Sequence, residues 1–444
     1  MPGDRERILE LDRRFLIHPL HDPAEQADAV VTVQGQGAVL RDADGREYID
    51  GLSSLWNVNV GHGREELADA AARQMAQLAY ASAYAGLTNE PAARLAERLL
   101  SLSYRGLSGV YFTTGGAESN ETAFKIARYY WKRRGLPDKT KIVSRHHAYH
   151  GVTLAAMSAT GIPAYHRMFA PTVPGFVHVP PPYPYREEGS AAEALEEAIV
   201  REDPQTVAAF IAEPVIGAGG VIPPDGDYFP RVREICDRHG VLLIADEVIT
   251  GFGRTGRWFA LEHWGVRPDI VTFAKGVTSA YLPLGGIMVS EQIHRTILDA
   301  PAAERFMHAA TYSAHPTCCA VALRNLDILE GEGLVERAAV LGRRLLDGLR
   351  TLGDLPRVGD VRGLGLMCGI ELVEDQDTKE PALGSGARVL AQARRRGLLT
   401  RMRAGQRGDH PIGDVVCVAP PFVVSESQVD RIVDILRESI RTAG

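Results

Sequence analysis

Two short apolar runs, each ending on a reactive side chain, constrain this chain more than any other feature. Both lie in GVLLIADEVITGFGRTGRWFALEHWGVRPDIVTFAKG, where residues 241–245 lead to Asp246-Glu247 and residues 270–274 lead to Lys275-Gly276. Runs this short, apolar throughout and bounded by turn residues, read as strands buried on both faces of a parallel sheet. Ligands of open α/β sheets bind outside the carboxyl ends of such strands. A carboxylate closes one strand and an amine the other, so both are expected to face one site.

The chain has 444 residues, for which two domains is the natural expectation. Its charges are mixed in sign and sum to −7, with no long basic block to engage nucleic acid. No apolar run approaches the roughly 18–20 residues that cross a bilayer. The opening MPGDRERILELDRRF lacks the apolar core of a secretory signal. Five cysteines, with Cys318 and Cys319 adjacent and no CxxC, fit reduced thiols better than a disulfide framework or a zinc site. These features predict a soluble, cytoplasmic protein without a nucleic-acid or membrane partner.

Residues 5–15 read as a short helix whose one aromatic is Phe15, followed by an irregular HPLHDPAEQ segment. Alternation around Asp44-Gly45 predicts a hairpin. Trp56 lies in a Ser- and Asn-rich stretch closing on Gly61-His62-Gly63, and is either packed or lining a cavity. Helical periodicity covers 65–78 and 91–102, with a small-residue segment carrying Tyr80 and Tyr84 between them.

Residues 109–113 form a further short strand that runs into TGGAESNETAFKIARYYWKRR, where apolar residues repeat at helical spacing from about Ala117. A strand, the Gly115-Gly116 turn and a helix start together suit a phosphate. The backbone can approach closely, unpaired N–H groups point outward, and the helix dipole adds about half a positive charge. An ordinary βα turn also carries glycines, so this geometry alone leaves both readings open.

Residues 141–144 and 206–212 are two more strands. The first ends in His146, His147, Tyr149 and His150, the second in Glu213-Pro214. No carboxylate or cysteine joins the histidines at ligand spacing, so no metal site is predicted; an aromatic there suits stacking on a planar ligand. The proline run at 180–184 is a surface loop. From about Leu334 two amphipathic helices flank short strands, an α+β pattern with which the N-terminal hairpin is expected to pack.

Two motifs in the opening stretch mislead. LLIADEV resembles the acidic strand end of a P-loop ATPase, yet no GxxxxGK[ST] loop occurs anywhere. GFGRTG matches the dinucleotide pattern GxGxxG, but the later acid, Asp269, precedes its strand rather than ending it. What remains is an amine at a strand end, a carboxylate at its neighbour and a phosphate turn. A pyridoxal phosphate site needs these three: a lysine for the aldehyde, a carboxylate to keep the pyridine nitrogen protonated, and a cradle for the phosphate.

With those residues the chain resembles the class III aminotransferases, of the fold-type I pyridoxal phosphate superfamily. The resemblance runs from Leu55-Trp56 to Pro420-Pro421, with DEVITGFGRTG…PDIVTFAKG as its most specific part. It implies an α/β fold in which a mostly parallel sheet forms a large cofactor-binding domain over 59–310. A smaller α+β domain would be built from both chain ends, 1–58 and 311–444. It implies that Lys275 is the Schiff-base lysine and Asp246 the partner of the ring nitrogen. Gly115, Gly116 and Ala117 match the phosphate turn, with alanine where the family has serine, so backbone N–H groups carry more of the contact. Tyr149 matches the residue that stacks on the ring, and His150, Glu213 and Val248 match its neighbours. Thr311, in TYSAHP, matches a threonine that reaches the phosphate from a second subunit, which implies a homodimer with shared active sites, a homotetramer being the larger alternative.

Within the family, Phe15, Leu55, Trp56 and Tyr84 resemble the ω-transaminase subgroup, which moves amino groups of amines lacking an α-carboxylate. The resemblance implies an apolar pocket of Trp56, Tyr149 and Tyr84, and places a carboxylate-binding arginine at Arg401. RMRAGQRGDHPIGD is longer than the subgroup's usual link, so Arg403 is the alternative; either can make a bidentate contact. The expected reaction is ping-pong transfer from an amine or ω-amino acid to an oxo acid, pyruvate first and 2-oxoglutarate second. A decarboxylase or aminomutase on the same cofactor stays open, as does the identity of the amine.

Overall fold

The computed structural model describes residues 2–20, 22–23, 26, 29–84 and 86–443; His21, Ala24 and Glu25 of the HPLHDPAEQ segment lie outside the described residues. The chain begins with helix Pro2–Phe15 and three strands, β1 (Thr32–Gln36), β2 (Val39–Asp42) and β3 (Glu47–Asp50). The β2–β3 hairpin turns at Asp44-Gly45, where Gly45 takes a φ of 81°.

The central sheet uses β4 (Leu107–Thr113), β5 (Lys141–Arg145), β6 (Phe176–Val179), β7 (Val207–Ala212), β8 (Leu242–Asp246), β9 (Ile270–Phe273) and β10 (Gly285–Ser290). Their spatial order is β4-β10-β9-β8-β7-β5-β6. β10 runs antiparallel to both its neighbours, and every other pairing is parallel. Two reversals restore direction, so β4 points the same way as β9. The carboxyl ends of β4, β5, β7, β8 and β9 therefore lie along one edge.

All residues of β7 and β8 are buried, which is why these strands read as unbroken apolar runs. Helix Gly116–Arg133 covers one face, burying Ala123, Phe124, Ile126, Ala127, Tyr130 and Trp131. Burying each of the larger of these side chains is worth about 1.5–3 kcal/mol. The indole N–H of Trp131 donates to the Ala208 carbonyl at 2.9 Å, tying the helix to β7.

The remaining strands are β11 (Val358–Gly363), β12 (Cys368–Leu372), β13 (Leu398–Leu399), β14 (Arg401–Arg403) and β15 (Val415–Val418). Four of them form a sheet of order β11-β12-β15-β14, whereas β13 pairs in parallel with β3 through Leu398 and Ile49. The N-terminal hairpin thus shares a sheet with the C-terminal part of the chain.

Three differences from the sequence reading have plain causes. FVHV before the proline run is a strand, β6, shorter than a reliable alternation signal. β1 is largely exposed, so it carries no apolar face to reveal it. Three helices follow Gly333 rather than two, because the arginines of Ser385–Arg395 mask the spacing of buried Val389 and Ala393. No helix is long and apolar enough to cross a membrane among the described residues. All five cysteines are buried as free thiols.

Candidate active site

Adjacent parallel strands carry the two reactive groups to the same edge. β8 ends on Asp246, and Asp246 pairs with Thr272 of β9, three residues before Lys275. Lys275 opens a tight 3-10 turn at a φ of 48°, left-handed backbone that a non-glycine residue adopts only under constraint. Its ammonium form is disfavoured by burial, which lowers its pKa, while the charges of Asp246 and Glu213 oppose that shift. Among the described residues the amine has no hydrogen-bond partner, so it is free to act as a base or nucleophile.

Asp246 is 3% exposed. Its Oδ2 lies 2.7 Å from His150 Nδ1 and accepts from the Asn120 amide at 2.9 Å; its Oδ1 accepts from the Val248 N–H at 3.1 Å. Burial alone would raise this carboxyl, but the His150 contact, the Asn120 amide and the Val248 N–H together hold its pKa below the usual value. Asp246 therefore stays ionised in a buried site, with lone-pair capacity left on Oδ1 for one more donor.

Glu213 follows β7 and is also buried. It accepts from the N–H of Tyr149 at 3.0 Å and of Gly217 at 2.8 Å. Burial raises its pKa, an effect the Asp246 charge reinforces. Because it grips the Tyr149 backbone, it sets where that ring stands. Tyr149 is half-buried, its ring centroid 5.4 Å from that of Tyr165. Burial and the Tyr165 hydroxyl push the Tyr149 phenol up to about 12, so it stays neutral.

Helix Gly116–Arg133 points its first turn at this group. Gly115 is extended and no side chain caps the helix. Glu118, the acid that would compete with an anion, is turned back onto Thr114, accepting from its N–H at 2.9 Å and its hydroxyl at 2.7 Å. A Cβ on Gly116 would stand 2.7 Å from Val248 Cγ1, and a Cβ on Gly151 2.6 Å from that of Ala117. The turn is therefore in contact with the residue that follows Asp246-Glu247 and with the loop of Tyr149 and His150. Ser119 Oγ donates to the Phe273 carbonyl at 3.1 Å, linking the helix start to the strand that delivers Lys275.

This donor set fits pyridoxal phosphate. An uncapped helix N-terminus suits a dianion, an ionised carboxylate with a spare lone pair suits a protonated ring nitrogen, and an unpaired amine suits an aldehyde. His150 Nε2 and Asn120 Oδ1, both buried without a partner, flank the carboxylate.

Gly115, Gly116, Ala117, Tyr149, His150, Glu213, Asp246, Val248 and Lys275 are thus assembled by one chain. Arg401 joins them electrostatically, its charge acting on both Tyr149 and Tyr165. It is exposed, and its side chain makes no hydrogen bond or ion pair among the described residues. Arg403, 7% exposed, is bound inside: its guanidinium donates to Gln406 Oε1 at 2.6 Å, approaches His147 Nδ1 at 3.3 Å and contacts the Ala404 carbonyl.

Trp56 is packed, at 5% exposure, in a cluster with Leu52, Ile216, Ile249, Met367 and Cys417. Leu55 beside it is 44% exposed. Phe15, Tyr84 and Thr311 are exposed, and no hydrogen bond or ring contact among the described residues joins them to Lys275. Thr311 instead accepts from the Tyr80 hydroxyl through its carbonyl at 2.6 Å. Sequence reasoning missed Asn120 and Tyr165. Asn120 stands in the quoted TGGAESN, one helical turn beyond the glycines, and that spacing was the available signal; Tyr165 had none.

The class III aminotransferase family model matches residues 21–440. A thermostable (S)-enantioselective ω-transaminase from Thermomicrobium roseum has a solved structure that superposes with a TM-score of 0.94, at 45% identity over 99% of this chain and 98% of that one. The putrescine–pyruvate aminotransferase of Pseudomonas aeruginosa is 38% identical over 93% of this chain and 90% of its own length. The diaminobutyrate–2-oxoglutarate transaminase of Halomonas elongata is 39% identical over 96% of this chain and 94% of its own.

Proposed function

This chain belongs to the class III aminotransferases, and from that premise we propose that it moves an amino group from an amine or ω-amino acid to pyruvate. Pyridoxal phosphate, the cofactor of this family, supplies an aldehyde that amines condense with and a ring that withdraws electrons from the substrate carbon. In this reading the N–H groups of Gly115, Gly116 and Ala117 hold the phosphate, Tyr149 stacks on the ring, and Asp246 holds the proton of the ring nitrogen. His150, Glu213 and Val248 fix those groups. Lys275 Nζ takes the proton from the substrate carbon and returns it.

The observation that carries the choice of acceptor is the contrast between the two arginines. Arg401 is unpaired beside Tyr149 and Tyr165, whereas Arg403 is committed to Gln406 and Ala404, with His147 nearby. One available guanidinium suits one carboxylate, which favours pyruvate over a dicarboxylic oxo acid. The relatives at hand include both a pyruvate and a 2-oxoglutarate enzyme, so the acceptor has to be measured. With amine donors tested against both acceptors, pyruvate should give the higher kcat/KM. Arg401→Ala should raise the KM for pyruvate roughly ten- to hundredfold, since a charge-assisted contact is worth about 1.5–3 kcal/mol. The amine half-reaction, followed by the cofactor spectrum, should barely change. Equal use of 2-oxoglutarate, or an unchanged KM in Arg401→Ala, would reject this assignment.

The exposure of Phe15, Leu55, Tyr84 and Thr311 supports a homodimer in which the partner subunit completes each pocket. Cofactor retention offers a separate check on the phosphate turn. Gly116→Ala places a methyl against Val248 and should weaken pyridoxal phosphate binding to the apoprotein about tenfold, the equivalent of ~1.4 kcal/mol. Unchanged affinity in a fluorescence titration would remove the turn from the site.

A further inference from the structure

Arg254 lies in GFGRTG, the glycine-patterned loop for which the strand-end chemistry has no use. Its side chain is wholly buried, yet it forms no ion pair among the described residues. Four oxygens from three segments of the chain surround it instead. Nη1 donates to the Leu366 carbonyl at 3.1 Å and the Pro420 carbonyl at 2.8 Å; Nη2 donates to Ser53 Oγ at 2.9 Å and Asn59 Oδ1 at 2.7 Å. The guanidinium carbon sits 4.7 Å from the centroid of the Phe422 ring. Burial disfavours the charge, and the carboxylate that offsets this, Asp50, acts without forming an ion pair with it; a site of this kind must gain something from orientation.

Three of the four partners lead towards the catalytic group. Ser53 opens a segment of unusual backbone, with φ of 48° at Ser53, 56° at Ser54 and 62° at Trp56. Non-glycine residues keep such values only where the surroundings over-determine them. Here Asp50 holds the N–H of Ser54 at 2.8 Å, and Ser53 Oγ bridges Arg254 to the Ala419 carbonyl at 2.7 Å. Asn59 accepts from Arg254 and donates its Nδ2 to the Phe252 carbonyl at 3.1 Å. A guanidinium only donates, so it fixes which way this amide faces. The same Nδ2 stands 2.6 Å from where a Cβ of Gly276 would be, placing the amide directly on the backbone that follows Lys275. Pro420 comes just after β15, the strand that pairs with Arg401 through Cys417.

We propose that Arg254 is a positioning residue for amino transfer, holding the segment of Leu55 and Trp56 and the turn of Lys275 in one fixed relation. The proposal rests on the transaminase reading above. A displacement of about 1 Å in a reacting group can cost on the order of 100-fold in rate, so a loosened register should appear in the chemistry.

The test compares full-length, cofactor-loaded wild type with Arg254→Lys and Ser53→Ala. Lysine keeps the charge but cannot reach all four oxygens. Single-turnover reaction with an amine donor should slow about 10- to 100-fold in Arg254→Lys at saturating amine, with the apparent KM for the amine also raised. Hydrogen exchange of the apoprotein should rise at 52–59 and 275–279 and stay unchanged in β7 and β8. Arg254→Lys with wild-type half-reaction kinetics, even at a lower melting temperature, would make the arginine a fold anchor and overturn the proposal. Should Arg254→Lys fail to fold, Ser53→Ala decides: a raised KM for the amine supports the proposal, and wild-type kinetics overturns it. A wild-type protein that transaminates no amine would instead reject the transaminase reading itself.

Discussion

Lys275→Ala should abolish turnover and the absorbance of the lysine-linked cofactor. The amine stands at the end of β9 on left-handed backbone, without a hydrogen-bond partner among the described residues. Burial lowers its pKa against the pull of Asp246 and Glu213, which increases the neutral form that can attack an aldehyde or accept a proton. Loss of a positioned general base costs about 10²–10⁴ in rate by itself. In the proposed mechanism the same atom also holds the cofactor, so activity below roughly 10⁻⁴ of wild type is expected. Lys275→Arg should fare no better, because a guanidinium stays protonated and cannot serve as the base. The measurement is the single-turnover reaction of purified variant with cofactor and amine, followed spectroscopically. Full activity in Lys275→Ala would move the chemistry to another residue.

Much of this site was legible because its elements obey a simple rule: a strand buried on both faces must be apolar throughout, so a charged residue at its end stands out. Asp246 and Lys275 announce themselves in this way, and Glu213 does so after β7. The uncapped helix start proposed to hold the phosphate was readable from Gly115-Gly116 and the helical spacing that follows. What escaped depends on contacts across the fold. Asn120 matters because helix Gly116–Arg133 carries its amide to Asp246, 126 positions away in sequence. The contrast between Arg401 and Arg403 on which the proposed acceptor rests could not be read from RMRAGQRGDHPIGD, since it depends on the loop folding back so that Ala404 and Gln406 occupy the Arg403 guanidinium. Phe15, Tyr84 and Thr311 were named by resemblance, and a single chain leaves them on its surface.

Asp246→Asn should leave the fold intact and slow the amine half-reaction by roughly ten- to hundredfold. The amide oxygen can take the place of Oδ2, still accepting from His150 and Asn120. Its nitrogen then faces the Val248 N–H where Oδ1 accepted at 3.1 Å, a donor against a donor, costing about 1–3 kcal/mol. For a chain of this length that lowers the melting temperature by only a few degrees. The chemical loss is larger. A hydrogen bond between charged groups contributes about 1.5–3 kcal/mol, which is one to two pKa units for the proton that Asp246 would hold on the ring nitrogen. Each 1.36 kcal/mol is tenfold in rate, which gives the expected range. The wild-type carboxylate is held below its ordinary pKa, so its support is present above the unfolded value and fades only as the pH falls through the folded one. Asp246→Asn has no such titration. Rates in the acid range should therefore fall with pH in the wild type and run flatter in the variant; parallel profiles would show that Asp246 acts through packing alone.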